Sequence, residues 1–217
     1  MTALAQAIEH TLLKASATPA DVEQLCSEAL EHGFCAVCVN LLHVARASAS
    51  TTDSGTLVVC PVGFPLGATL PSVMAWEAEQ ALAHGAREID MVIPLGLALA
   101  GELSAVTGAV ALVRRAVGSA ALKVILETGL FDGSTLASVA TAALAGEPDF
   151  LKTSTGYGPR GASVEDVRSL TQQAAGRAQV KASGGIRTAA QASQLLAAGA
   201  TRLGTSASVS IVTEGLG

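Results

Sequence analysis

Lysine is scarce in this chain and unusually placed. Only four lysines occur among the 217 residues, Lys14, Lys123, Lys152 and Lys181. The last three fall inside apolar, β-rich runs. Lysine normally decorates exposed helix faces and is almost never fully buried unless paired. A chain that spends few lysines and places them in core strands is using them. Lys152 stands in DFLKTSTG (149–156), an apolar-to-polar run that reads as a strand ending in a glycine turn. A desolvated lysine beside a second cation loses its proton readily and becomes an amine nucleophile for carbonyls. The chemistry indicated is Schiff-base formation.

Two further residues fit that chemistry. Strand alternation puts Lys152 on the face of Phe150 and Ser154, and Lys181 on the face of Ser183. With both faces inward, two ammonium groups approach from neighbouring strands and lower one lysine pKa towards ~7–8, a useful range for an amine nucleophile. Asp90, in EIDMV (88–92), is a carboxylate within an apolar strand and needs a cationic or hydrogen-bonding partner. Lys181 is the candidate partner. A lone Lys/Asp pair reads as a structural salt bridge; two strand lysines plus an aspartate favour a functional site.

Three turns rich in Gly, Ser and Thr follow the late strands: Thr153-Ser154-Thr155-Gly156, Ser183-Gly184-Gly185 and Gly204-Thr205-Ser206. Backbone N–H groups approach an anion closely at glycine, and hydroxyls add donors. In α/β barrels the loops after strands 7 and 8 often hold phosphate. The last two turns occupy those positions, so a phosphorylated substrate is expected. Lys123 and Glu127 share a strand face and read as an internal ion pair, with a place lining the site as the alternative. Cys38 shares a face with Asn40 and reads as a packed small hydrophobe. Cys35 and Cys38 have Cys-x-x-Cys spacing, but alternation sends them to opposite faces, against joint metal binding. His10, His32, His43 and His84 lack metal-ligand spacing, and no Walker or dinucleotide glycine loop is found.

The elements that must position these residues are readable from periodicity. Strand-like runs fall at 7–12, 34–40, 56–63, 88–94, 121–128, 149–155, 179–185 and 202–206. Helical patterns lie between them at 19–32, 42–50, 71–84, 102–117, 134–145, 163–175 and 188–198, with a short helix after the eighth strand. Thr18-Pro19 reads as an N-cap followed by proline in the first turn. His32-Gly33 and His84-Gly85 read as helix ends. Strands start about 22–33 residues apart, the length of a β/α unit. The alternation predicts a single (β/α)₈ TIM barrel over 1–217, with a doubly wound open sheet as the alternative.

Composition narrows the partners. Half of the residues are hydrophobic but only 3% are aromatic, so the core is built from Ala, Val, Leu and Ile. A net charge of −5 without a basic cluster argues against nucleic acid and anionic membranes. Mean hydropathy is +0.48, yet no apolar run approaches the ~18 residues of a membrane span. The N-terminal residues have no basic segment of a signal peptide. The four cysteines read as reduced thiols, and the expected location is cytoplasmic.

Taken in order, IEHTLLKASAT (8–18), AVCVN (36–40), VGFPLGA (62–68), EIDMVI (88–93), LKVILETG (122–129), DFLKTSTGYG (149–158), VKASGGIRT (180–188) and ATRLGTSAS (200–208) resemble the deoxyribose-phosphate aldolase family. The resemblance spans nearly the whole chain. It implies a class I aldolase with a (β/α)₈ barrel. The implied reaction is reversible cleavage of 2-deoxy-D-ribose 5-phosphate to D-glyceraldehyde 3-phosphate and acetaldehyde, within deoxyribonucleoside catabolism. By this resemblance Lys152 is the Schiff-base lysine, and Asp90 and Lys181 are the proton-relay and pKa-tuning partners. Gly184, Gly185, Gly204 and Ser206 look like the phosphate grip, with Thr155 and Gly156 beside them. No metal or organic cofactor is implied, and a homodimer is the candidate assembly. Three positions depart from the family pattern. Glu9 stands where aspartate is usual, Pro94 where a polar residue is common, and the chain ends without the tyrosine that many members carry. Another sugar-phosphate lyase or isomerase barrel, or a non-catalytic sugar-phosphate-binding barrel, are the rival readings.

Overall fold

The structure, a computed structural model, describes residues 3–214. The readings made on residues 1–2 and 215–217 lie outside it. Parallel strands β1 (Ile8–Leu12), β2 (Ala36–Val39), β3 (Leu57–Val62), β4 (Glu88–Val92), β5 (Ala121–Ile125), β6 (Phe150–Lys152), β7 (Gln179–Ser183) and β8 (Arg202–Thr205) close into a barrel in sequence order. β8 pairs back onto β1 through Glu9↔Gly204 and His10↔Thr205. The open-sheet alternative is therefore set aside.

Helices α1 (Pro19–His32), α2 (Val44–Ser50), α3 (Pro71–Ala83), α4 (Leu95–Leu99), α5 (Leu103–Val117), α6 (Gly133–Leu144), α7 (Val164–Ala174), α8 (Ala189–Ala197) and α9 (Ser208–Glu214) surround it. Local signals set several boundaries. Thr18 and Asp21 form a reciprocal capping box at the start of α1, and Gly33 ends that helix at φ +68°. Ser163 caps α7, and Thr188 with Gln191 boxes the start of α8. Only α4 was not foreseen.

Alternation along each strand splits the buried residues into two populations. One face of each strand, with Ile89 and Met91 of β4, Leu122 and Val124 of β5 and Leu151 of β6 among its residues, packs outward against the helices. Each such side chain contributes roughly 1.5–3 kcal/mol of burial. The other face points into the barrel. There Ala36, Cys38 and Val59 form a small apolar patch on β2 and β3, and charged side chains fill much of the rest. A barrel interior is ordinarily a stack of branched apolar residues, so this one is organised for something other than packing.

Candidate active site

The inward residues of β4 to β8 meet around Asp90. Its Oδ2 accepts from Lys152 Nζ at 2.6 Å and from Lys181 Nζ at 2.6 Å, and its Oδ1 accepts from Lys123 Nζ at 3.0 Å. Sheet register produces the convergence: Asp90 pairs with Lys123 across β4 and β5, and Lys152 pairs with Lys181 across β6 and β7. The ionic network continues towards the floor of the barrel. Lys123 also contacts Glu88 at 2.6 Å and Glu9 at 3.5 Å. Lys181 also donates to Glu9 Oε2. Arg202 contacts Glu88 at 3.3 Å and Glu9 at 3.6 Å. Gly204 lies against this network, because a Cβ there would sit 3.1 Å from Lys181 Cε.

Charge counting identifies the odd member. Lys123, Lys152, Lys181 and Arg202 face Glu9, Glu88 and Asp90, so four cationic groups meet three carboxylates. A neutral lysine would balance the set, and Lys152 is the member whose pKa is lowered. Burial pushes its pKa below that of free lysine; Asp90 opposes that push, and Lys181 adds to it. Burial also disfavours the charges on Lys181 and Lys123. There Asp90 and Glu9 outweigh it, and both pKa values are raised. Burial acts against ionisation of Asp90 too, but Lys123, Lys152 and Lys181 hold it well below the usual carboxylate range. Glu9 is likewise lowered, against its burial, by Lys123 and Lys181. At neutral pH the arrangement is an ionised aspartate between protonated lysines, with one amine primed to be neutral.

Several expectations are refined or changed by this geometry. Burial and a neighbouring Lys181 were both expected to lower the Lys152 pKa; burial is the larger influence, and Asp90 opposes it more strongly than Lys181 assists. Asp90 has three lysine partners rather than one. Lys123 and Glu127 do not pair, because β5 ends at Ile125 and Glu127 has a left-handed backbone, φ +55°. Its carboxylate turns to the next loop and accepts from the Thr155 N–H at 3.2 Å and from the Thr155 hydroxyl. Cys35 also escapes the alternation argument. It precedes β2, and its thiol donates to the Ile8 carbonyl at 3.0 Å beside Arg202, while Cys38 sits within the barrel.

Above Asp90 a cavity of about 290 Å³ opens at the C-terminal ends of the strands. Lys152 reaches it; Asp90 and Lys181 lie beneath its walls. Thr155, Gly156, Gly184, Gly185, Gly204 and Ser206, the residues expected to bind substrate and phosphate, all line it. Gly184 and Gly185 have φ of +88° and +74°, a conformation that favours glycine. The loops are tied to one another. Thr153 Oγ1 donates to the Ser183 carbonyl at 3.0 Å, Ser183 Oγ to the Ser154 carbonyl at 2.6 Å, and Thr205 Oγ1 to the Ile186 carbonyl at 2.7 Å. Such ties pre-set the N–H groups and hydroxyls that an anion would meet.

Sequence reasoning did not assign Glu9, Glu88 and Arg202 to the buried network, or Lys14, Tyr157 and Arg187 to the cavity wall. The signal for the first group was present, since each is a charge inside a strand run. Lys14 and Arg187 each follow the C-terminal end of a strand, where barrel sites are built. Among the described residues no His/Cys/Asp/Glu group has the arrangement of a metal site, and no helix is long and apolar enough to cross a membrane.

Comparison with known proteins matches this geometry to one family. A family model described as DeoC/LacD family aldolase matches residues 1–209. A deoxyribose-phosphate aldolase from Thermus thermophilus is 53% identical over 209 residues, covering 96% of this chain and 95% of that protein. One from Deinococcus radiodurans is 49% identical over 212 residues, covering 98% and 96%. Among solved structures, an aldolase called QR15 superposes with a TM-score of 0.94 at 36% identity, covering 100% of this chain and 97% of that one. The deoxyribose phosphate aldolase of Aeropyrum pernix, described as a unique tetramer, superposes with a TM-score of 0.88 at 34% identity, covering 98% and 91%.

Proposed function

Because the chain belongs to the DeoC/LacD family of aldolases, we propose that it is a class I aldolase that reversibly cleaves 2-deoxy-D-ribose 5-phosphate to D-glyceraldehyde 3-phosphate and acetaldehyde. Residues 1–217 form its catalytic domain, and Lys152 is the nucleophile. The observation that carries this assignment is the contrast among the three buried lysines. Lys152 alone of the three both lines the cavity and has a pKa below that of free lysine.

Neutral Lys152 attacks the C1 aldehyde, and loss of water leaves an iminium. Asp90, ionised and 2.6 Å from the Lys152 nitrogen, stabilises that positive charge as it forms. The iminium is the electron sink, the part that a metal ion plays in other aldol cleavages. Deprotonation of the C3 hydroxyl breaks C2–C3, and the phosphate-bearing aldehyde leaves. The enamine that remains takes a proton at C2 through Asp90, Lys181 and water, and hydrolysis frees acetaldehyde. Thr155, Gly156, Gly184, Gly185, Gly204 and Ser206 hold the phosphate end with neutral donors.

The working location is the cytoplasm, in keeping with the four free cysteines. A second copy of the chain is its proposed partner. Trp76 of α3, Leu66 and Leu70 before it and Leu42 in the turn after β2 are 57–87% exposed, apolar side chains of the kind that association covers. Light scattering reads that state directly.

Borohydride reduction in the presence of acetaldehyde, followed by peptide mass analysis, tests the mechanism. Label is expected on Lys152, and Lys152→Ala is expected to lose both label and cleavage. Label on Lys123 or Lys181 instead overturns the assignment of the nucleophile.

A further inference from the structure

We infer that Lys14 is a specificity-determining residue of the site, supplying a cation to the substrate phosphate, and that Tyr157 is the strap that positions it. The inference rests on reading the cavity as a sugar-phosphate site. The residues assigned above to the phosphate are neutral glycine and hydroxyl donors. A phosphate monoester carries about −1.5 to −2 charges near pH 7, and a protein that selects it over a neutral sugar supplies positive charge.

Two cations of the cavity wall, Lys14 and Arg187, can meet that need, and Lys14 does so from the loop between β1 and α1, where Tyr157 holds the backbone beside it. It lines the cavity, is exposed, and forms no ion pair among the described residues. Asp21, the acid it influences, already accepts the Thr18 N–H at 2.8 Å in the helix cap. Barrel closure sets β1 beside β8, so the Lys14 loop adjoins the loop that carries Ser206. No carboxylate lines the cavity to compete for the ammonium.

Tyr157 gives the loop its position. Its hydroxyl donates to the Leu13 carbonyl at 2.9 Å, joining two loops 144 residues apart in sequence. Its N–H donates to Thr155 Oγ1 at 3.0 Å, and its ring meets Phe64 edge-on with centroids 5.6 Å apart. Leu13 immediately precedes Lys14, so the tie fixes the backbone from which the ammonium reaches the mouth. An anchored lysine loses less freedom on meeting its anion than a loose one.

The test uses the full-length protein and Lys14→Gln, Lys14→Arg and Tyr157→Phe variants, each assayed on 2-deoxyribose 5-phosphate and on unphosphorylated 2-deoxyribose. Lys14→Gln is expected to lower kcat/KM on the phosphorylated substrate about tenfold, chiefly through KM, as expected for loss of one charge-assisted contact. The loss on deoxyribose is expected to be much smaller. Lys14→Arg should restore most of the preference, and Tyr157→Phe should lose part of it in the same direction. Equal losses on both substrates, or an unchanged preference in Lys14→Gln, overturn the inference. Titration of wild type and Lys14→Gln with inorganic phosphate gives a second readout that needs no turnover. Weaker phosphate binding in the variant supports the role of Lys14, and equal binding refutes it. Absence of cleavage and imine in the wild type would instead refute the aldolase reading, so the two failures are distinguishable.

Discussion

The buried network around Asp90 and the cavity above it are adjacent, and they handle charge in opposite ways. In the network every ion touches a counter-ion, and Asp90, Lys123 and Glu9 are fully buried. Its function lies in which member is held least firmly as an ion, and that member is Lys152. In the cavity the donors assigned to the phosphate are neutral, and the exposed cations Lys14 and Arg187 line its wall without an ion pair among the described residues. There the missing counter-ion is the substrate. Substitutions in the network should therefore couple to one another through shared partners, and substitutions at the mouth should act nearly independently of the network.

The largest effect that separates the two regions is expected from Asp90→Asn. The change keeps the side chain's shape and removes the charge shared by three lysines. The proposed proton relay loses its acceptor, so kcat should fall by about 10²–10⁴-fold. Asp90 is also the group that opposes the depression of the Lys152 pKa. Without it, the alkaline-activating limb of imine formation should move to lower pH. A fall in kcat with that limb unmoved would show that Asp90 does not act on Lys152 electrostatically.

Ser206→Asp probes the mouth. It places a carboxylate where the phosphate is proposed to lie, leaving the network untouched. Like-charge juxtaposition costs several kcal/mol when desolvated and less at an open mouth, so use of the phosphorylated substrate should fall about 10²-fold. Unphosphorylated deoxyribose should be affected little, and the imine limb should keep its pH. Equal losses on both substrates would remove Ser206 from the phosphate grip.

How much of this was legible depended on the range of the interaction. Strand positions were readable because alternation is local, and the capping of α1 by Thr18 was readable because it spans three residues. The run 121–128 was read too long because nothing in its apolar pattern marks the left-handed turn at Glu127. The run 149–155 was read too long because its last residues continue the alternation after pairing stops at Lys152. Helix α4 went unseen because five residues with a glycine and no polar face give no periodic signal. Lys152, Lys181 and Asp90 stood out as charges in apolar strands. Their shared geometry with Lys123, Glu9, Glu88 and Arg202 did not, because it is set by barrel closure and inter-strand stagger. The mouth residues depend on loop paths, which have no periodicity at all.

The smallest expected effect is the most specific test of the network. Lys181→Leu takes one cation from the set. In the wild type, Lys123, Lys181 and Arg202 balance Glu9, Glu88 and Asp90 when Lys152 is neutral. In the variant, Lys123 and Arg202 leave one carboxylate charge uncompensated, and protonated Lys152 is the group that cancels it. Asp90 is not stranded, because Lys123 still holds its Oδ1 at 3.0 Å. The sign is upward: losing Lys181 removes an influence that lowers the Lys152 pKa and exposes Lys152 to more of the field of Asp90. The limb of imine formation should therefore move to higher pH, with rate partly recovered in base. The shift should be smaller than the opposite one in Asp90→Asn, because Asp90 acts on Lys152 more strongly than Lys181 does. Removing one partner from a buried ionic network costs about 3–5 kcal/mol. Lys181→Gln, which drops the charge but keeps a hydrogen-bond donor, is the companion variant if the leucine form folds poorly. Imine formation rather than turnover is the quantity to follow, since Lys181 is also placed in the proton relay. A limb that stays in place in both variants would leave burial as the whole cause of the Lys152 pKa, and the balance of charges in the network would then concern stability rather than the nucleophile.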